Sequence, residues 1–293
     1  MTNRNPLTAH YNEKYEKQPQ EYPGIQKEMK PIPDSGEDTY KGSNKLTGKK
    51  ALITGGDSGI GRAAAIAYAK EGADVAINYL VAEQEDAEDV KRVIEEAGQK
   101  CVLIPGDLRD KAFPKSMVQE AHKALGGLDI LVLNAGMQQY EYDIQNLSEE
   151  SLRDTFEVNV FSGVTAVQEA LNYLEAGSSI IFTSSIQGVK PSSHLIDYAM
   201  TKSCNISITK SLAAQLGEKG IRVNCVAPGP VWTPLQICGG QPQDKIPDFG
   251  KNQPLQRAGQ PVELADIYVL LASDNASFIT GQVYGATGGA PIN

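Results

Sequence analysis

From Lys49 onward, short apolar runs alternate with longer segments of helical period. Ala51-Leu52-Ile53 is an apolar run that stops at glycines, and the alanine-rich stretch Ala63 to Lys70 reads as a helix. Val75-Ala76-Ile77 predicts a second strand, and Glu83 to Ala97 a charged amphipathic helix closed by Gly98. Cys101 to Ile104, Asp129 to Leu133, Ser179 to Phe182 and Ile221 to Val226 predict further strands. Ser148, with Ser151 close behind, opens a long helix over 148–176, and Ile196 to Leu216 predicts another. Apolar strands alternating with helices imply an α/β fold, a parallel sheet covered on both faces with right-handed crossovers. About seven strands are expected, the last at the C-terminus.

Two stretches break this rhythm. Residues 1–45 carry Pro6, Pro19, Pro23, Pro31 and Pro33, many charges and few aliphatics, and they sustain no period. They read as an extended N-terminal arm before a body over 46–293. The arm is either anchored on that body through Tyr11, Tyr15, Tyr22 and Tyr40 or disordered. Residues 228–260 hold Pro228, Pro230, Pro234, Pro242, Pro247 and Pro254. So long a loop is usually functional, and this one follows a strand's carboxyl end, where ligands sit in open α/β sheets. It reads as a substrate lid. Trp232 within it, the chain's one tryptophan, is either core filler or pocket wall.

The first strand runs into Thr54-Gly55-Gly56-Asp57-Ser58-Gly59-Ile60-Gly61, and a helix follows. That context makes it a phosphate-cradling loop: Gly55 for a tight turn, Gly59 for backbone approach to a pyrophosphate, Gly61 for helix–sheet packing. Asn134-Ala135-Gly136 follows the fourth strand, and Tyr198-Ala199-Met200-Thr201-Lys202 puts a phenol and an ammonium on one helical face. Ser185 ends a strand before that helix, and Asn159 lies in Glu157-Val158-Asn159-Val160. On these motifs the chain from about residue 46 to its C-terminus resembles the short-chain dehydrogenase/reductase family.

The resemblance implies a single Rossmann-type domain that binds NAD(H) or NADP(H), and a catalytic set of Asn159, Ser185, Tyr198 and Lys202. Tyr198 would be general acid in reduction and base in oxidation. A free tyrosine titrates near 10, and an ammonium at about 4 Å would bring it toward about 7. Lys202 would supply that charge and also hold the nicotinamide ribose. Ser185 would hydrogen-bond the substrate oxygen, and Asn159 would position a water linking Lys202 to solvent. Strand alternation points Ser184 away from Ser185. For the cofactor, the resemblance implies contacts from the glycine loop (Gly55, Asp57, Ser58, Gly59, Ile60, Gly61), from Asp107 and Leu108 at the adenine, and from Asn134, Ala135 and Gly136. The segment Pro228-Gly229-Pro230-Val231-Trp232-Thr233 would hold the carboxamide through Val231 and Thr233. Asp107 could instead cap the segment starting at Asp110, and Asn159 could be a helix-kink or backbone ligand.

Tyr79 and Leu80 stand where the family carries Asp for NAD or Arg for NADP, and Asp57 would repel a 2′-phosphate, so a weak preference for NAD is expected. The arm and Asn78-Tyr79-Leu80 resemble an N-terminally extended subgroup of general-stress oxidoreductases and glucose-and-ribitol-dehydrogenase-like proteins. Relatives are usually tetramers, so a homotetramer packed through the helices at 148–176 and 196–218 is expected. Gln138, Gln139, Gln187 and His194 are candidate pocket residues for a small carbonyl, alcohol, aldehyde, ketone or sugar substrate.

The formal net charge of −9 argues against nucleic acid or an anionic membrane as partner. No apolar leader or membrane span is visible, so a cytoplasmic location is expected. Cys101, Cys204, Cys225 and Cys238 lack C-x-x-C spacing, and no metal site is expected. Two other readings are a non-catalytic nucleotide sensor, which has no need of Tyr198 and Lys202, and an acyl-chain ketoreductase, which needs a basic docking patch.

Overall fold

In a computed structural model that describes residues 4–292, seven parallel strands form one sheet. In chain order they are β1 (Lys50–Thr54), β2 (Asp74–Tyr79), β3 (Cys101–Pro105), β4 (Ile130–Leu133), β5 (Ser179–Thr183), β6 (Arg222–Pro228) and β7 (Val283–Ala286). Their spatial order is β3-β2-β1-β4-β5-β6-β7. The helices are α1 (Gly59–Lys70), α2 (Gln84–Glu96), α3 (Phe113–Leu125), α4 (Glu149–Phe156), α5 (Ser162–Ala170), α6 (Ile196–Leu216) and α7 (Val262–Ala272). The strand order reverses between β1 and β4, so a crevice opens beyond their carboxyl ends. Into that crevice run the glycine loop after β1 and Asn134-Ala135-Gly136 after β4.

The strands are apolar on both sides because each faces a helix layer. In β1, Ala51 and Ile53 join a core with Tyr68, Leu264 and Tyr268, while Leu52 joins the opposite core with Met117, Val167 and Leu216. The small side chains of Ala63, Ala64, Ala65 and Ala67, all buried, let α1 lie close against the sheet. α3 and α7 are helices that the hydrophobic pattern leaves unassigned. α7 is apolar almost all round and carries no amphipathic stripe to read.

The long helix expected over 148–176 is interrupted. Ser148 caps α4 by accepting a hydrogen bond from the Ser151 amide at 3.0 Å. A π turn over Glu157–Phe161 then separates α4 from α5, which ends at Ala170.

The described part of the arm, from Arg4, lies against the body; Met1 to Asn3 of the expected arm, and Asn293 of the expected body, fall outside the described residues. Tyr15 and Met29 of the arm form a third apolar cluster with Trp232, Ile237, Ile246 and Ala258 of the 228–260 loop. Tyr15 stacks on Trp232 with ring centroids 3.9 Å apart, and Trp232 Nε1 donates to the Pro31 carbonyl at 2.8 Å. Trp232 is fully buried there, as core rather than pocket wall. No helix among the described residues is long and apolar enough to cross a membrane.

Candidate active site

A cleft of about 290 Å³ runs along the crevice from the glycine loop to Tyr198 and the 228–260 loop. Most of the expected cofactor residues line it: Gly55, Asp57, Ser58, Gly59, Ile60, Tyr79, Leu80, Asp107, Leu108, Asn134, Ala135, Gly136, Pro228, Gly229, Val231 and Thr233. Gly61 does not line the cleft. A Cβ there would stand 1.9 Å from the Gly55 carbonyl, so Gly61 lets α1 close on the loop. Gly59 has φ +52°, and a Cβ on it would meet the Thr233 methyl at 2.9 Å. Ser58 precedes α1 without capping it by its side chain. The Gly59 amide donates to Gln26 Oε1 at 2.7 Å, and the other first amides of that helix supply positive potential at the cleft.

Threonines brace the crevice. Thr54 Oγ1 accepts from the Asn134 and Ala135 amides at 2.9 and 3.1 Å, and Asn134 Nδ2 donates to the Gly55 carbonyl at 3.1 Å. Thr183 Oγ1 donates to Asn134 Oδ1 at 3.3 Å and shares a 2.7 Å hydrogen bond with the Tyr268 hydroxyl. The spacing of motifs does not single out Thr183 or Tyr268, because their role depends on strands brought together from distant sequence.

Ser185, Tyr198 and Lys202 converge at the far end of the cleft. Ser184 Oγ turns away and donates to the Lys202 carbonyl at 2.6 Å, while Ser185 Oγ accepts from the Gln187 amide at 3.1 Å. Burial pushes the Tyr198 phenol up to about 12, against the hydrogen bond from the neighbouring Ser185 hydroxyl, which pulls it down. Burial pushes the Lys202 ammonium down to about 8. The expected lowering of Tyr198 by Lys202 is therefore not what the geometry gives. Lys202 Nζ lies 5.3 Å from the Tyr198 ring centroid and donates to the Thr183 carbonyl at 2.9 Å. Both groups are desolvated, and burial is the largest cause of each shift. The phenol is consequently neutral around pH 7, the form that donates a proton.

Asn159 sits in the π turn, buried and outside the cleft lining. Its Oδ1 accepts from the Met137 amide at 2.7 Å, and its Nδ2 donates to the Met137 carbonyl at 2.9 Å and to Thr201 Oγ1 at 3.0 Å. It thus ties the loop after β4 to α6. Gly136 lies between Asn159 and the Lys202 ammonium: a Cβ there would stand 3.4 Å from Lys202 Nζ and 3.7 Å from Asn159 Oδ1.

Among the candidate pocket residues, Gln138 and Gln187 line the cleft, but Gln139 and His194 do not. Gln139 is exposed, and the His194 ring packs 5.8 Å from that of Tyr142. Asp107 is held below the usual carboxylate range: burial raises it, and hydrogen bonds from Arg109 outweigh that. Its Oδ1 also accepts from the Arg109 amide at 2.9 Å in a local turn.

The opposite end of the cleft is acidic. Asp57 is buried, its Oδ2 has no hydrogen-bond partner, and burial followed by the Asp86 charge raises it. Glu83 is raised by burial and then by Asp57. Arg62 is engaged with Glu37 at 2.7 Å and with Asp89. Among the described residues that line the cleft, Lys202 at the far end is the one cation. An orphaned buried carboxylate beside a glycine cradle, with a proton donor at the other end, fits an elongated ligand carrying hydroxyls and a pyrophosphate.

Comparison with known proteins agrees with this geometry. Residues 55–290 match the family model described as Enoyl-(Acyl carrier protein) reductase. The chain is 61% identical over 290 residues to the oxidoreductase YhxD of Bacillus subtilis (strain 168), covering 98% of this chain and 97% of that one. It is 43% identical over 277 residues to NADPH-dependent aldehyde reductase 1, chloroplastic, of Arabidopsis thaliana, covering 92% and 96%. A crystal structure of a short chain dehydrogenase from Burkholderia cenocepacia J2315 in complex with NADP superposes with TM-score 0.78 at 33% identity. It covers 84% of this chain and 98% of that one.

Proposed function

The chain belongs to the short-chain dehydrogenase/reductase family of oxidoreductases, and on that footing we propose that it reduces a small aldehyde, ketone or sugar, or oxidises the matching alcohol, with Tyr198 moving the proton. The observation that carries this is the convergence of Ser185, Tyr198 and Lys202 at one end of a cleft whose other end is the glycine loop. A nicotinamide dinucleotide would supply or accept the hydride. The loop amides and Ser58 would hold its pyrophosphate, Asp57 a ribose, Asp107 and Leu108 the adenine, and Val231 and Thr233 the carboxamide. Ser185 would orient the substrate carbonyl toward the Tyr198 hydroxyl, and the neutral phenol would donate as negative charge develops on oxygen. Gln138 and Gln187 favour a hydroxylated or small carbonyl substrate.

NAD(H) is the preferred form in this reading. The support is the acid pair Asp57 and Glu83 together with the lack of any cation on that side of the described cleft lining, where a 2′-phosphate would go unpaired. NADH and NADPH oxidation against a panel of aldehydes, ketones and sugars tests both points. Turnover of small aldehydes with a higher kcat/KM for NADH is expected. A higher kcat/KM for NADPH would overturn the preference, and binding without any turnover would overturn the activity.

A homotetramer packed through α4, α5 and α6 is part of the same reading. Phe161 and Met200, 50% and 47% exposed, offer apolar surface on that side. Light scattering should give four times the chain mass of 31.5 kDa; the mass of a single chain would refute it.

A further inference from the structure

The arm precedes the region matched by the family, which begins at residue 55, yet it reaches the cleft at two points. Tyr22 and Pro23 line it. Gln26, 1% exposed, accepts a hydrogen bond from the Gly59 amide through Oε1 at 2.7 Å. Its Nε2 donates to Ser35 Oγ at 3.2 Å, and its own amide donates to Asp86 Oδ2 at 2.7 Å. Every polar atom of this side chain is therefore engaged, and one bond ends on the glycine loop itself. Tyr22 stands near Glu83, Asp107 and Arg109, whose charges act on its phenol. Glu83, which feels the charge of Asp57 in the loop, and Asp107 both line the cleft.

We propose that the arm completes the dinucleotide site: Tyr22 is an outer wall of its adenosine end, and Gln26 is a positioning residue that holds the glycine loop in its binding shape. The inference rests on the nicotinamide-dinucleotide reading above. A loop rich in glycine is conformationally free, and ordering it on binding subtracts from affinity. The bond from Gly59 to Gln26 orders it beforehand. The Tyr22 ring covers ligand surface that would otherwise face water.

Other contacts keep the arm in place when either residue is changed. The Gln20 amide donates to the Ile237 carbonyl at 3.2 Å, the Val262 amide donates to the Asp34 carbonyl at 3.0 Å, and the Tyr40 hydroxyl donates to Glu71 at 2.7 Å. Tyr22→Ala and Gln26→Met therefore test the site rather than the docking of the arm.

The test is fluorescence titration of full-length enzyme with NADH, without substrate, alongside kcat, both KM values and Tm. Tyr22→Ala and Gln26→Met should each raise the NADH Kd about tenfold, with a smaller change in kcat at saturating dinucleotide. Tyr22→Phe should restore affinity, because the wall is the ring. A Kd equal to wild type in both variants, with only Tm lowered, would make the arm a structural brace and overturn the proposal. Should Gln26→Met not fold, an unchanged Kd in Tyr22→Ala would overturn it alone. Wild-type enzyme that binds no dinucleotide would remove the functional reading itself, and this inference with it.

Discussion

Tyr198→Phe is expected to lower turnover by about 10²–10⁴-fold, the worth of a positioned general acid, with a much smaller change in dinucleotide affinity. The ring and its packing remain, since the phenol is buried and only its oxygen is lost. A variant within about threefold of wild type in kcat would assign the proton to another group. The pH dependence follows from the same residue. Burial holds the phenol up at about 12, so the proton-donating form dominates through neutral pH. Carbonyl reduction uses that form and should fall as the solution becomes strongly alkaline. Alcohol oxidation uses the phenolate, whose population rises tenfold per pH unit below the pKa. Its rate should therefore climb with pH, and this climb should vanish in Tyr198→Phe.

The second large effect is one of stability. Trp232→Ala removes a fully buried ring that stacks on Tyr15 and donates to the Pro31 carbonyl. Large-to-small changes of this kind cost about 3–5 kcal/mol, which should lower Tm by on the order of 10 °C. The third apolar cluster is built from the arm and the 228–260 loop, so the damage should concentrate there. Amide exchange should quicken in both segments and leave β1 to β6 protected. A Tm within a degree or two of wild type would show that the cluster contributes little.

The sheet was legible because strands such as β1, β2 and β4 carry short apolar runs bounded by glycines or helices, although β6 holds Arg222 and Asn224 among its apolar residues. The order of the glycine loop, Asn134-Ala135-Gly136, Ser185 and Tyr198-x-x-x-Lys202 points to the candidate cleft, because each motif sits at a strand end or helix start. What stayed hidden depends on contacts distant in sequence. Gln26 meets Gly59, and Trp232 meets Pro31, across 33 and 201 positions. A buried glutamine in a proline-rich, charged stretch carries no periodic signal. The burial of Tyr198 is hidden for a related reason: residue spacing gives the partner, Lys202, but not the desolvation that acts on both groups. The π turn is equally invisible, since the apolar pattern reads as one continuous helix on both sides of it.

That turn has a consequence for insertions and deletions. A π turn holds one residue more than the α-helical turn it replaces, and successive residues along a helix point about 100° apart. Removing one residue within Glu157–Phe161 would let α4 and α5 fuse into a regular helix. Because the wide turn already absorbs that residue, the helices on either side would keep close to their present faces, and the change would fall on the side chains of the turn itself. Asn159 would then lose the direction from which it holds the Met137 amide and carbonyl. Chain length at this place is therefore coupled to the hold of Asn159 on the loop after β4.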